Sequence, residues 1–559
     1  MNPRTLILAM LALILLSACV APISATPPAA PASEYEDNEH DHATGSADQL
    51  GEVAFPVSCT PEAQAEFNQG VAYLHSFWFA PATKSFETAA DLDPTCSMAY
   101  WGKAMSMLGI PWSPESEQTM QDGWQVVEQA LAAGAPTPRE QAYIDAVAAR
   151  YRDANIQNWR ERTLAYEAAM AQLAQEYPED NEAQIFYALA LIVTAQPSDK
   201  EYVNQRKAEA ILEPLLATQP DHPGVAHYLI HTYDYPALAD GGLVAARRFA
   251  AIAPSAPHAL HMPAHIFTRL GYWQESVATN QASAEVAKSN LSSDYPPNTG
   301  FVDALHAMDY MMYAYLQSAQ DDAAQILLEE VGSIEQVDAQ NLGSAYALAA
   351  IPSRPVLERG QWAEGNTLAL HPADFAWERF PQAEAVLVFA RGLSAARAGD
   401  PEAARDDLAR LETLREAMVA TNQGYWAEQA GIQIEEVAAW IALAEGNAEE
   451  ALASMRTAVD LEAATEKHPV TPGPVLPAQE LLGEMLLETG DPVAALAAFE
   501  ASLQVDPNRF RSIYGAAHAA ELVGEMELAR THYEKLLALN AGTDNGRSEL
   551  AAAQAFLSQ

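Results

Sequence analysis

Small and aromatic residues recur along this chain in a fixed order and at a fixed period. Near the C-terminal end Gly490 and Gly524 stand 34 residues apart, as do Ala495 and Ala529, and Phe499 and Tyr533. In each set an alanine follows the glycine by five positions and an aromatic follows the alanine by four. Four residues span about one helical turn, so alanine and aromatic share a helix face, and the glycine marks the turn before that helix. Pro507 closes one unit after Val505-Asp506. The N-terminal end keeps the same frame with Gly70, Tyr73, Ala82, Phe86, Ala89 and Pro94. Looser units fill the middle: Gly271 with Ser276, Gly360 with Gly365, Gly399 with Ala404, Gly446 with Ala451, and Pro220 with Pro254 again 34 apart. Insertions of about 5 to 15 residues separate several of them. The pattern predicts roughly twelve helix pairs from residue 63 to 543, and an amphipathic last segment, Gly546 to Leu557, as the polar cap of the stack.

A 34-residue helix–turn–helix unit, small where helices touch and aromatic one turn later, resembles the tetratricopeptide repeat. The resemblance spans most of the chain. It implies an all-α superhelix, an α-solenoid of helix pairs with a concave groove lined by the first helix of each pair. Two arrays are expected, residues 51–290 with a histidine-rich groove and residues 291–559 with the capping helix. The strings HPGVAHYLIHTYD, APHALHMPAHIFTRLGYW, FNQGVAYLHSFWF and DPTCSMAYWGKAM are also similar to a group of exported bacterial tetratricopeptide lipoproteins. That resemblance implies no activity. YDYPALADGG departs from the group by lacking a histidine after its proline.

Composition narrows the partners. Lys and Arg number 30 against 75 Asp and Glu, a formal charge of −45, which repels phosphate backbones and excludes a nucleic-acid partner. With 49% apolar residues the chain has ample core material. Three cysteines are too few for a disulfide scaffold or a multi-cysteine zinc module. Residues 1–18 read as a signal peptide, with Arg4 ahead of an apolar run from Leu6 to Leu16. Leu16-Ser17-Ala18-Cys19 resembles a bacterial lipobox. That implies acylation of Cys19, and Val20 after it points to the outer membrane, facing the periplasm. The remaining 19–50 segment has the composition of a flexible acidic tether. Within it Glu39, His40, Asp41 and His42 are either loose metal ligands or a solvated linker. The membrane contact is expected through the lipid alone. In an oxidising compartment Cys59 and Cys96 are expected to pair. Closing their loop of about 37 residues adds roughly 3–4 kcal/mol in the chain-entropy model; two buried free thiols are the alternative.

Six of the 14 histidines lie between residues 222 and 265. His227 and His231 are four apart, His261 and His265 are four apart, and the two pairs are one repeat period apart. Ala226, Ile230 and Tyr233, and then Leu260, Ala264 and Phe267, take the buried positions. The histidines fall between these, on the stripe that resembles the ligand-facing stripe of the family. His258, Asp234, Arg269, His306 and Asp309 extend that stripe. Cβ atoms four residues apart on a helix are about 5–6 Å apart, and packed helix axes about 8–10 Å. Imidazoles of successive units therefore reach one volume.

Three readings stay open for this patch. His227, His231, His261 and His265 suit a transition metal such as zinc. Alternatively the histidines, Arg269, Tyr228, Tyr233 and Tyr235 hold a peptide, partner protein or small ligand. Or the rings are hydrogen-bonded packing residues. The His-Glu-x-x-His, Gly-x-Ser-x-Gly, phosphate-loop and dinucleotide motifs are all absent. An enzyme, hydrolase-like and metal-dependent, would have to use Asp234 or Asp309 as base beside a metal-bound water. The expectation is a lipid-anchored, periplasm-facing binding or scaffold protein, with a metal-binding protein as the alternative.

Overall fold

The computed structural model describes residues 48–152, 158–290, 295–543 and 546–559. Helix follows helix throughout, from Pro61–His75 to Ser548–Leu557. Among the described residues the only strands are Thr299–Gly300 and Gln336–Val337, a parallel two-residue pair. The chain is an all-α stack of helix pairs, and its repeat positions show why. Phe86 of helix Phe79–Leu92 seats its ring between Gly70 of the helix before and Gly102 of the helix after. A Cβ at Gly70 would stand 2.8 Å from that ring, and one at Gly102 closer still. Phe499 sits in the same way between Gly483 and Gly515. The small residues let two helices close on one aromatic plug, and the stacking makes the core continuous. Ala82 and Ala495, one turn before these rings, are fully buried, as is Ala529, one turn before Tyr533.

Helix ends follow local chemistry. Thr60, Ser116, Thr137, Asp180, Asp400 and Asp491 cap their helices by accepting a backbone N–H three residues on. Gly490 and Gly524 both have φ of +86° in the turn between paired helices, a left-handed conformation that costs a side chain-bearing residue about 1 kcal/mol or more. The apolar core forms two large clusters, one running from Leu50 to Phe267 and one from Trp273 to Ala519. Winding brings distant units together. The Trp273 indole N–H donates to the Asn508 carbonyl at 3.0 Å across 235 residues, about seven units of the repeat.

Leu50 is buried and the Gln49 N–H donates to Ser255 Oγ at 2.9 Å. The folded body thus starts by Asp48, three residues inside the expected 19–50 tether. Residues 1–18, Cys19 and the rest of that tether lie outside the described residues. Cys59 and Cys96 are joined, with Cα atoms 5.0 Å apart. Helix Ser548–Leu557 covers the end of the stack, its Phe556 ring on Tyr533 with centroids 4.9 Å apart. Among the described residues no helix is long and apolar enough to cross a membrane.

One insertion matters for the site. Between helices Ala448–Ala463 and Ala478–Glu488 the chain carries Pro469, Pro472, Gly473, Pro474 and Pro477, which cannot continue either helix. This segment turns inward and lies against the histidine-bearing helices.

Candidate metal centre

Three elements bring the histidines together. Helix Pro223–Tyr233 carries His227 and His231. The next unit is broken at Met262 into Pro257–His261 and Pro263–Arg269, because Pro263 has no N–H to continue the first piece. It carries His258, His261, His265 and Arg269. Helix Val302–Gln317 carries His306, Asp309 and Tyr310. The six imidazoles form a continuous row. Ring centroids are 4.9 Å apart for His227–His231, 5.0 Å for His227–His258, 5.9 Å for His258–His261, 4.9 Å for His261–His265 and 4.4 Å for His261–His306. They divide into two tri-histidine sets, His227 with His231 and His258, and His261 with His265 and His306. Within each set the candidate ligand nitrogens all lie within 4.8 Å of one another.

Hydrogen bonds fix which nitrogen of each ring faces the others. His265 Nδ1–H donates to Asp234 Oδ2 at 2.8 Å. His261 Nδ1–H donates to Asn280 Oδ1 at 2.6 Å, and the Asn280 amide is itself oriented by donating to the Ser276 carbonyl at 2.7 Å. With both Nδ1 atoms protonated, each neutral ring keeps its lone pair on Nε2. Those two Nε2 atoms are 3.0 Å apart. Two buried lone pairs at that distance repel unless a cation or a proton lies between them. Burial pushes the pKa of His261 well down and that of His265 down, which disfavours the proton. His227 repeats the arrangement, its Nδ1–H donating to the His75 carbonyl at 2.6 Å and its Nε2 facing His258 Nε2 at 3.2 Å. His231 Nε2 is buried with no hydrogen-bond partner among the described residues.

Burial lowers the pKa of all six rings, His227 and His306 to about 3. They are neutral at pH 7, the form a metal requires. Asp234 anchors the outer side. It accepts from His265, from Arg269 Nε at 2.9 Å and from Lys467 Nζ at 2.7 Å. Burial opposes its charge, but Lys467, Arg269 and His265 hold its pKa well below the usual range. Burial brings Lys467 down to about 8.

The structure departs from the sequence reading in three ways. The histidines are not spread on an open groove: His227 is 0% exposed, His261 1%, His265 1% and His231 4%, with His258 and His306 half-buried. The inward segment closes over them, with Tyr310 O–H donating to the Pro469 and Thr471 carbonyls and Lys467 on Asp234. Trp112 and Phe77 cover the other end, 4.5 Å from His231 and 4.4 Å from His227 between ring centroids. Second, Asp309 does not join the histidines. It takes a two-pronged bond from Arg354, at 2.6 and 3.0 Å, because that buried guanidinium requires a counter-charge. Third, Asp234 is saturated by three cationic or N–H donors. Both carboxylates that the sequence offered as bases are thus engaged.

A further group was invisible in the sequence. Glu182 accepts from His75 Nε2 and His222 Nε2, each at 2.9 Å, and Tyr228 O–H meets His75 Nδ1 at 2.9 Å. Here ring N–H groups already point at the carboxylate, and of this set's ring nitrogens only His222 Nδ1 is left without a partner among the described residues. Its members lie 107 and 153 residues from His75 in sequence. The string FNQGVAYLHSFWF, which holds His75 and Phe77, was the one available signal.

No family model matches the chain, and no curated protein matches it. Among solved structures it is similar to the Cut9–Hcn1 hetero-tetramer of the APC/C, at 12% identity over 89% of this chain and 90% of that chain, with a TM-score of 0.32. It is also similar to yeast Tom70, at 12% identity over 89% and 96% with a TM-score of 0.30. The human IFIT1 dimer with PPP-AAAA is a third, at 10% identity over 87% and 98% with a TM-score of 0.36.

Proposed function

We propose that this chain is a helical-repeat binding protein of the cell envelope, lipid-anchored through Cys19 and facing the periplasm, whose specialised site is a transition-metal centre. Stacked helix pairs support the general binding or scaffold role. The metal is carried by one observation: the Nε2 lone pairs of His261 and His265, each fixed by a bonded Nδ1–H, face each other at 3.0 Å inside the protein. His306 completes a three-nitrogen set of the kind that binds zinc and leaves one coordination position over. Asp234, Asn280 and the His75 carbonyl orient the rings from behind, as partners of metal-bound imidazoles do. His227, His231 and His258 offer a second set. Full-length protein purified without a histidine tag should carry about one equivalent of metal per tri-histidine set, and His265→Ala should lose the equivalent of its own set while keeping its helical spectrum. Wild-type protein that stays metal-free after exposure to zinc, copper and nickel salts would discard the metal reading. Cys19→Ala should leave the membrane fraction; if it still sediments there, the anchor lies elsewhere.

A further inference from the structure

A cavity of about 110 Å³ lies beyond Lys467, away from the histidines. Tyr346, Phe389, Tyr425 and Trp426 give it aromatic walls. Glu436, Glu462, Glu466 and Asp506 bring four carboxyl groups to it, of which Glu466 is paired with Lys200; Arg269 and Lys467 also line it but are bonded to Asp234. Its lining carries polar atoms that the protein does not satisfy. Glu436 is 1% exposed and Gln382 8% exposed. Glu436 Oε1, Gln382 Oε1 and Gln433 Oε1 have no hydrogen-bond partner among the described residues, nor do Gln429 Nε2 and Thr465 Oγ1. A buried polar atom left unmade is destabilising, and the two glutamine Oε1 atoms can only accept. The lining as a whole therefore asks for N–H donors and positive charge.

We propose that this cavity binds a small organic cation with ammonium N–H donors, held by Glu436, Gln382 and Gln433 and stacked on Trp426 and Tyr425. An ammonium group beside Glu436 and Glu462 favours their carboxylate form, amide oxygens supply directed acceptors, and aromatic faces attract ammonium groups. An anionic ligand would meet four carboxyl groups. A neutral one would bring no charge to hold Glu436 ionised. The site is separate from the metal centre and stands without it.

Three four-carbon probes separate these cases: 1,4-diaminobutane, 1,4-butanediol and succinate, titrated calorimetrically into the full chain before and after chelation. The diamine should bind in both states, raise the melting temperature and quench Trp426 fluorescence, while the diol and the diacid do neither. Glu436→Gln should weaken the diamine at least tenfold while folding as well as the wild type. Equal binding of diol and diamine overturns the cationic assignment. No heat and no thermal shift with any probe overturns the site, and so does a diamine affinity unchanged in Glu436→Gln. Loss of diamine binding on chelation alone would move it to the metal.

Discussion

The histidine row and the neighbouring acidic cavity are both buried sets of ionisable side chains, and they differ in how they are tied. The imidazoles of His227, His261 and His265 each have one nitrogen fixed by a protein acceptor, so the free nitrogen of each is aimed. Two carboxyls of the neighbouring cavity are tied loosely, Glu462 taking one backbone N–H and Glu436 Oε1 none, while Glu466 accepts from Lys200 and Tyr202. Burial favours the neutral form in both sets, moving the pKa down for the histidines and up for Glu436, Glu462 and Asp506. Asp234 and Lys467 sit at the boundary, neutralising one another at 2.7 Å. A tied base set suits an ion that demands fixed geometry, and a loosely tied acid set suits a ligand that brings its own donors.

The largest effect should come from removing the aimed nitrogens. The double variant His261→Ala, His265→Ala should lose the equivalent of metal held with His306 and keep its far-ultraviolet helical signal. Chelating the wild type should lower its melting temperature by mass action. Should the double variant unfold instead, and the wild type prove metal-free, the rings are packing residues and nothing more. A subtler break leaves all ligands in place. Asn280→Leu removes the acceptor that fixes His261, frees that ring to put its N–H on Nε2, and should weaken metal roughly 10–100-fold. His261→Gln in the same background should then cost little more, because the ring is already misoriented.

The two sets should also pull stability in opposite directions along the pH scale. For metal-free protein, the folded-state pKa values of His227 and His306, about 3, lie below the unfolded value of about 6.5. Between those values the unfolded chain binds more protons, so their contribution is complete above about pH 6.5 and is lost as pH falls toward 3. Glu462 is raised to about 8, by burial first and Asp506 next. From about 4.5 to 8 the folded chain binds the extra proton, so stability falls as pH rises through that window. Denaturant titrations across pH should show a maximum between the two slopes. His306→Gln should flatten the acid side and Glu462→Gln the alkaline side. Glu462→Gln leaving the alkaline slope untouched would assign that slope elsewhere.

How much of this the sequence showed depended on periodicity. The repeat frame was legible because each helix pair reuses the same small and aromatic positions, and Phe86 with its flanking glycines is the physical form of that pattern. His227, His231, His261 and His265 were legible for the same reason, since two helices of successive units show one face. The Cys59–Cys96 pair followed from having no other partner in the folded body. Asp309 was misplaced because a stripe drawn along one helix does not show Arg354 arriving from the next. Asn280, the His75 carbonyl and Lys467 come from other elements at separations with no period, so one-dimensional spacing held no trace of them. The inward segment was visible only as a proline-rich interruption, and its role in closing the groove needed three dimensions. The cavity draws on residues from Pro236 to Asp506 and had no sequence signature.

The smallest effect expected is a coupling between the two sites through Lys467. A metal on His265 Nε2 makes the opposite Nδ1–H a stronger donor to Asp234. Asp234 then compensates Lys467 less, and the ammonium, 5% exposed, presents more of its charge to the cavity beside it. Metal should therefore weaken diamine binding by a few-fold, and the diamine should weaken metal by the same factor, since linkage between two binding equilibria is reciprocal. Lys467→Met removes the intermediary. In a double-mutant cycle the coupling should shrink toward zero in that variant while each ligand still binds alone. A coupling that survives Lys467→Met unchanged would place the communication in the packing of helix Val302–Gln317 instead. Independent binding in the wild type would mean that Asp234 absorbs the change without passing it on.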